Sequence, residues 1–250
     1  RRSEKNFSYS DMHYVPFDGE GYGDSKVFSN ELKFPFSAGA VDFTADEKQM
    51  YFTKVVKGKG GEEITKIFRA DYGNNEWHQD VKELDFNNEA YSCAMPALGP
   101  NADYMVFASD MPGSKGGFDL YVVYKEGKNK WSKPRNLGSS INTPQEETFP
   151  FIDANENLYF ASNGHKGFGG LDIFRAPISG NEFGEPENMM IPLNSGRDDF
   201  GLVLNPDNPR EGYLASNKLA NEMYGRVFFN RAAMFTASIW PVPLALGWMH

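Results

Sequence analysis

The stretch Glu147-Thr-Phe-Pro-Phe-Ile-Asp-Ala-Asn-Glu-Asn-Leu-Tyr-Phe-Ala-Ser-Asn-Gly-His-Lys-Gly-Phe-Gly-Gly-Leu-Asp-Ile-Phe-Arg175 decides the fold. It reads as two alternating apolar segments joined by the turn Asp153-Ala-Asn-Glu-Asn157, then a polar glycine-rich loop, then a third apolar segment. That is most of a small antiparallel sheet. Its parts recur at a nearly fixed interval. The second segment returns as Met50-Tyr-Phe-Thr53, Met105-Val-Phe-Ala-Ser-Asp110 and Gly212-Tyr-Leu-Ala-Ser-Asn217, and from Tyr51 to Val106, Tyr159 and Tyr213 the steps are 55, 53 and 54 residues. The third segment follows with it, Phe68, Tyr121 and Phe174 lying 53 residues apart each time. An aromatic at Trp77, Trp131 and Phe183 comes next, after a turn of Asn, Gly and Lys. A four-strand unit at a period near 50 predicts a β-propeller blade. The alternative is a β-sandwich whose hairpins resemble one another by accident.

Composition agrees with an all-β chain. Phe (21) and Tyr (12) are abundant, which suits strands packed face to face by aromatics, and no stretch sustains a helical apolar stripe over three turns. The formal charge of −9, spread along 250 residues, argues against a nucleic-acid partner, which needs clustered Lys and Arg. The single cysteine, Cys93, lies in the inner-strand sequence Ser92-Cys-Ala-Met-Pro96 and reads as a buried inert thiol. The chain begins at Arg1 without a visible signal peptide, which is compatible with a piece cut from a longer protein.

In chain order, residues 1–35 read as a partial preceding blade or an N-terminal extension, with strands expected at Met12–Pro16 and Ser25–Phe28. The propeller repeats are expected over residues 36–230, as blades at about 36–86, 87–138, 141–190 and 191–230. Three are complete. The fourth keeps two strands, with Gly225–Phe229 as a poorly formed third. Residues 231–250 form an atypical apolar tail, interrupted by Pro241 and Pro243 and too short for a confident membrane span, that is either foreign to the fold or a strand closing the ring. The predicted architecture is thus a β-propeller of four-stranded antiparallel blades, three complete plus partial ones, with an open or incomplete ring as a live alternative.

The phrases Ser109-Asp-Met-Pro-Gly-Ser-Lys-Gly-Gly-Phe-Asp-Leu-Tyr121, Asn136-Leu-Gly-Ser-Ser-Ile-Asn-Thr143, Glu147-Thr-Phe-Pro-Phe151 and Ser162-Asn-Gly-His-Lys-Gly-Phe-Gly-Gly-Leu-Asp-Ile-Phe174 resemble the WD40-like (TolB-like) propeller repeats of Bacteroidetes OmpA-family outer-membrane proteins. They also look like the periplasmic lipoprotein component of the type IX secretion and gliding machinery. The resemblance covers residues 36–217 and implies a periplasmic, outer-membrane-associated protein whose partners are envelope proteins. It implies peptidoglycan contact only through flanking domains, none of which lies in these 250 residues.

There is no His-Glu-x-x-His, no Gly-x-Ser-x-Gly and no phosphate loop, so no catalytic, metal or cofactor site is expected. Asp119 and Asp172 open third strands after a Gly-Gly pair; each is expected to accept hydrogen bonds from its own loop rather than to hold a cation. Glu146, Glu147, Asp198 and Asp199 precede inner strands and are expected at one mouth of the central channel. There they form an acidic rim, able in a rival reading to bind a glycan or a cation or to serve a hydrolase. A peptide-threading channel of the TolB type is a third reading. The favoured expectation is a non-enzymatic protein-binding scaffold using the long loops. Its contact residues are Asp110, Lys115, Asn163, His165, Lys166 and Phe168, the last a loop-tip aromatic flanked by glycines.

Overall fold

The computed structural model describes residues 13–16, 21–29, 32, 38–205, 212–217, 227–228 and 236–237. The first blade consists of strands Ala38–Phe43, Gln49–Lys57 and Glu63–Gly73, paired in that order. The short pieces Glu76–Trp77 and Lys82–Glu83 both add to the outer edge of the third. The second blade repeats this with Cys93–Leu98, Tyr104–Ser109, Asp119–Gly127, Lys130–Trp131 and Arg135–Asn136. The third does so with Glu147–Ile152, Asn157–Ser162, Asp172–Ser179, Glu182–Phe183 and Glu187–Asn188. All pairings are antiparallel. A fourth blade shows its first two strands, Asp199–Leu204 and Gly212–Ser216. The chain is an all-β propeller of successive antiparallel blades.

In the first three blades the second strand is covered on both sides, and the sequence is written accordingly. All six residues of Tyr104–Ser109 are buried. Met105 and Phe107 face the first blade, where Tyr51 and Ile67 meet them together with Tyr121, Val123 and Trp131. Val106 and Ala108, with Leu120 and Val122, face Leu158, Phe160, Phe174 and Ala176 of the third blade. Tyr159 and Ile173, on that blade's other side, pack on Leu202 and Leu214 of the fourth. The period-2 alternation therefore sorts residues between two neighbours instead of between core and solvent. Each fully buried aliphatic or aromatic side chain contributes about 1.5–3 kcal/mol, so these interfaces are the main cohesion of the arc.

The four inner strands share an irregularity. Register shifts occur between Gly39 and Val41, Ala94 and Ala97, Thr148 and Phe151, and Phe200 and Val203. A residue with positive φ sits at each bulge: Ala40 (27°), Met95 (58°), Phe149 (50°) and Gly201 (63°). Glycine occupies the fourth of these, the conformation it adopts without a Cβ penalty. The bulges link the blades in series. Met95 N donates to Thr53 Oγ1 at 2.8 Å, Phe149 N approaches Met95 Sδ at 3.3 Å, and the Phe149 and Phe200 rings lie 4.8 Å apart.

One expectation changes. Val227–Phe228, inside the proposed third strand of the fourth blade, pairs with Thr236–Ala237 in a two-stranded ribbon whose Thr236–Ala237 lies against Gly212–Ser216 without joining its sheet. In the first blade the second and third strands run on to Lys57 and from Glu63. They replace the glycine-rich loop of the later blades with a regular hairpin, in which Lys57 Nζ pairs with Glu63 at 2.9 Å. Residues 206–211, 218–226, 229–235 and 238–250 lie outside the described residues, and with them most of the apolar tail.

Candidate interaction face

The loops between second and third strands, the starts of the inner strands and the links between blades meet on one face of the arc. Asp119 builds the second-blade loop from within. Its Oδ2 accepts from Lys115 N at 3.0 Å and Asn136 Nδ2 at 2.7 Å, and its Oδ1 accepts from Gly116 N at 3.3 Å. Asp172 does the same in the third blade, accepting from Phe168 N at 2.8 Å and Gly169 N at 3.0 Å. Both aspartates are buried, as turn-fixing residues should be.

The glycines serve the approach of the next blade. A Cβ on Gly116 would lie 1.7 Å from Gln145 O, and one on Gly169 would lie 2.3 Å from Arg197 O. Backbone bonds close the same seams: Gly117 N to Gln145 O at 3.0 Å, Glu147 N to Phe118 O at 2.8 Å and Asp199 N to Leu171 O at 2.7 Å. The glycine-rich loop is thus half of an inter-blade joint, which leaves less of it for partners than its sequence implies.

His165 is drawn into that joint. Its Nε2 donates to Ile141 O at 2.8 Å, and its ring stands 5.1 Å from Phe174 and 5.9 Å from Phe160. It is half-buried and does not project as a contact residue. Asp110 and Asn163 are exposed but employed: Asp110 Oδ1 accepts from Ser92 N at 2.7 Å and Asn163 Oδ1 from Glu146 N at 3.0 Å, capping the entry to the inner strands. Lys115 and Lys166 are exposed. Phe168 is 44% exposed, its ring not tucked under the loop.

The acidic rim divides by strand parity. Glu147 and Asp199, the first residues of their strands, are wholly buried, while Glu146 is exposed and Asp198 half-buried. Glu147 accepts from Thr143 N at 2.8 Å and from the hydroxyls of Thr143 and Ser162, both at 2.7 Å. Asp199 accepts from Ser195 Oγ at 2.6 Å and from Ser216 Oγ. These two are not rim residues, because the first residue of each strand turns inward onto the serine that ends the second strand. The same place in the second blade holds Cys93 against Ser109, Sγ to Oγ 3.7 Å. Asp198 spends its oxygens on Leu171 N and Asn217 Nδ2. Among the described residues no group of three or more His, Cys, Asp or Glu is placed to hold a metal ion.

Two features of this face escaped sequence reasoning. Asn87, Asn142 and Asn194 each clamp the third strand of the preceding blade through both amide atoms. The bonds are to Ile67 N and O (3.0 and 2.7 Å), Leu120 N and O (2.8 and 2.9 Å) and Ile173 N and O (2.7 and 2.8 Å). Their spacing of 55 and 52 residues was the available signal. The second feature is apolar. The link Gly138-Ser139-Ser140 of the second blade is replaced in the third by Met190-Ile191-Pro192, and Met190 and Ile191 are 55% and 66% exposed. Asn188, two residues before Met190, donates to Lys166 O, two residues before Phe168, at 3.4 Å. Phe168, Met190 and Ile191 therefore rise from adjoining segments of one face.

No family model matches the chain, and no curated protein matches it. Among solved structures the chain is similar to an alpha-L-arabinofuranosidase from Lactobacillus brevis, 11% identical over 79% of this chain and 70% of that one, with a TM-score of 0.49. It is also similar to a putative TolB from Agrobacterium tumefaciens, 10% identical over 80% of this chain and 81% of that one, TM-score 0.43. A third likeness is to a puromycin-hydrolyzing peptidase of Mycobacterium tuberculosis, 13% identical over 75% of this chain and 30% of that one, TM-score 0.45. This chain spans less than a third of that peptidase. The likenesses assign no activity here.

Proposed function

We propose that the chain is a non-enzymatic protein-interaction scaffold of the bacterial cell envelope. It presents the glycine-loop face to other proteins of a periplasmic, outer-membrane-associated assembly of the secretion and gliding type. The observation that carries this reading is the division of labour on that face. The buried carboxylates Glu147 and Asp199 are saturated by hydroxyl and backbone donors, while Phe168, Met190 and Ile191 stand exposed beside Lys166. Exposed aromatic and aliphatic side chains on a rigid frame are the anchors a protein partner uses. The envelope context comes from the sequence phrases of residues 109–174. No helix among the described residues is long and apolar enough to cross a membrane.

The test is capture from a Bacteroidetes envelope extract with the full chain as bait, beside a Phe168→Ala, Ile191→Ser variant and a Glu146→Gln, Asp198→Asn variant. The expected result is recovery of outer-membrane assembly proteins, reduced tenfold or more by the first variant and unchanged by the second, in line with loss of about 1.4 kcal/mol or more at an apolar anchor. Equal capture by the first variant, or glycan recovery lost only in the second, overturns the reading in favour of an acidic-rim binder.

A further inference from the structure

We propose that a cleft between the hairpin of the first blade and its link to the second is a binding site for an acidic peptide, with the Lys66 ammonium receiving the carboxylate. Lys66, Asp119 and Asp172 hold one position in the repeat, each paired across the sheet with the same place in the second strand, Lys54, Ser109 or Ser162. Glu83, Asn136 and Asn188 hold another, opposite Phe68, Tyr121 and Phe174. In the second and third blades the glycine-rich loop folds back over the aspartate. Asp119 accepts from Lys115 N and Gly116 N, and Asp172 from Phe168 N and Gly169 N. In the first blade the corresponding segment runs straight on as the ladder Val55–Thr65, Val56–Ile64 and Lys57–Glu63.

Where the later blades place that loop, the first blade has an open cleft of about 520 Å3, lined by Lys59, Lys66, Glu83, Asn87, Asn88 and Glu89. Clefts of this size hold small ligands. Three of the six, Lys66, Glu83 and Asn87, are the repeat counterparts of Asp119, Asn136 and Asn142, around which the second-blade loop is built. The polarity is inverted: an acceptor engaged by its own loop gives way to a donor.

Lys66 is 8% exposed, a burial rare for lysine. Its ammonium carries three N–H groups, and among the described residues it is hydrogen-bonded to Glu83 alone, at 2.8 Å. Donors remain for a second carboxylate, and Lys59 stands exposed on the same cleft. Glu83 and Glu89 supply acceptors beside them. This mixture suits a carboxylate flanked by N–H groups, which is an aspartyl or glutamyl residue in a peptide, held by charge-assisted bonds. A sugar acid brings the carboxylate without the flanking N–H groups. The cleft uses none of the apolar anchors of the third blade, so the two sites stand independently.

Titration of the isotope-labelled full chain with acetyl-Gly-Asp-Gly-amide, followed by NMR, tests the site. Saturable shifts at residues 66–67 and 87–90 are expected, with acetyl-Gly-Asn-Gly-amide and glucuronate binding more weakly by about tenfold or more. Lys66→Met should weaken the aspartyl peptide by about tenfold or more. Lys59→Ala, at an exposed position that folding does not depend on, should weaken it by about threefold. Lys133→Ala removes the same charge from an exposed site in the second blade and should leave binding unchanged. Glu83→Gln removes the competing carboxylate and should tighten binding severalfold, a gain that a lysine serving only to brace Glu83 would not give. Equal binding of the two peptides, binding that Lys66→Met and Lys59→Ala leave intact, shifts confined to other residues, or a preference for glucuronate would overturn the site.

Discussion

Asp42 is a half-buried carboxylate that the fold needs as a hydrogen-bond acceptor. It stands in the first inner strand, its Oδ2 accepting from Leu98 N of the second blade at 2.7 Å and its Oδ1 from Phe43 N at 2.8 Å. Burial raises its pKa to about 6 and outweighs the two backbone N–H groups, which pull it down. Its folded-state pKa lies above the unfolded one, so the folded chain binds the extra proton between about pH 4 and 6. The stabilisation this brings is whole below about pH 4 and is lost as the pH rises through about 6, a change on the order of 3 kcal/mol. Urea denaturation of the wild type and of Asp42→Asn should show it. The variant's stability relative to wild type is expected to improve by that order from pH 4 to pH 7.5, whatever constant cost the amide carries. Parallel curves would mean that Asp42 titrates normally. Nothing in the sequence around Ala40-Val-Asp-Phe43 distinguishes this aspartate from a solvated one, since its burial comes from a blade that begins some fifty residues later.

At the scale of elements, the strands were legible and the joints between them were not. Tyr159, Phe160, Phe174 and their repeats are ordered by an alternation that two adjacent strands suffice to satisfy, and the turn at Asp153 follows from its own carboxylate, which accepts from Asn155 N at 2.9 Å and Asn157 N at 2.8 Å. The Gly-Gly pairs look, in sequence, like flexible loop tips. Their purpose depends on Gln145 and Arg197, which belong to the next blade. Gly116→Ala is accordingly expected to destabilise by about 2–4 kcal/mol, because its Cβ meets a backbone carbonyl that is itself tied into the joint. Gly196→Ala, in the same face with nothing within 4 Å of its Cβ, should stay within about 0.5 kcal/mol of wild type. Thermal and urea unfolding of the two variants side by side separate a joint from a loop. Equal tolerance at both positions would make the close approach at Gly116 unimportant.

Taken whole, the molecule is a series of packed blade interfaces, and Cys93 reports on the first. Its thiol is wholly buried with Tyr51, Ile67 and Phe107 between the first two blades, and burial pushes its pKa up to about 12. A thiol reagent at pH 8 should therefore label it only through opening of that interface, slower than the unfolded chain by a factor on the order of 10³ or more. Labelling as fast as in the unfolded chain would show that the first two blades are not packed as described.

The sequence by itself determined the all-β class, the blade period and nearly every strand, because Phe68, Tyr121 and Phe174 and their neighbours obey a rule local to each hairpin. The turn-fixing roles of Asp119 and Asp172 were legible for the same reason: their donors lie three or four residues away. Only the tertiary structure decided which carboxylates of the Glu146–Glu147 and Asp198–Asp199 pairs face water, that His165 is a packing residue, and that three asparagines stitch blade to blade. It alone brought Tyr22 to Tyr213. Each of these depends on a partner that folding delivers from 15 to 191 residues away, and no local pattern specifies which side of a strand that partner will cover.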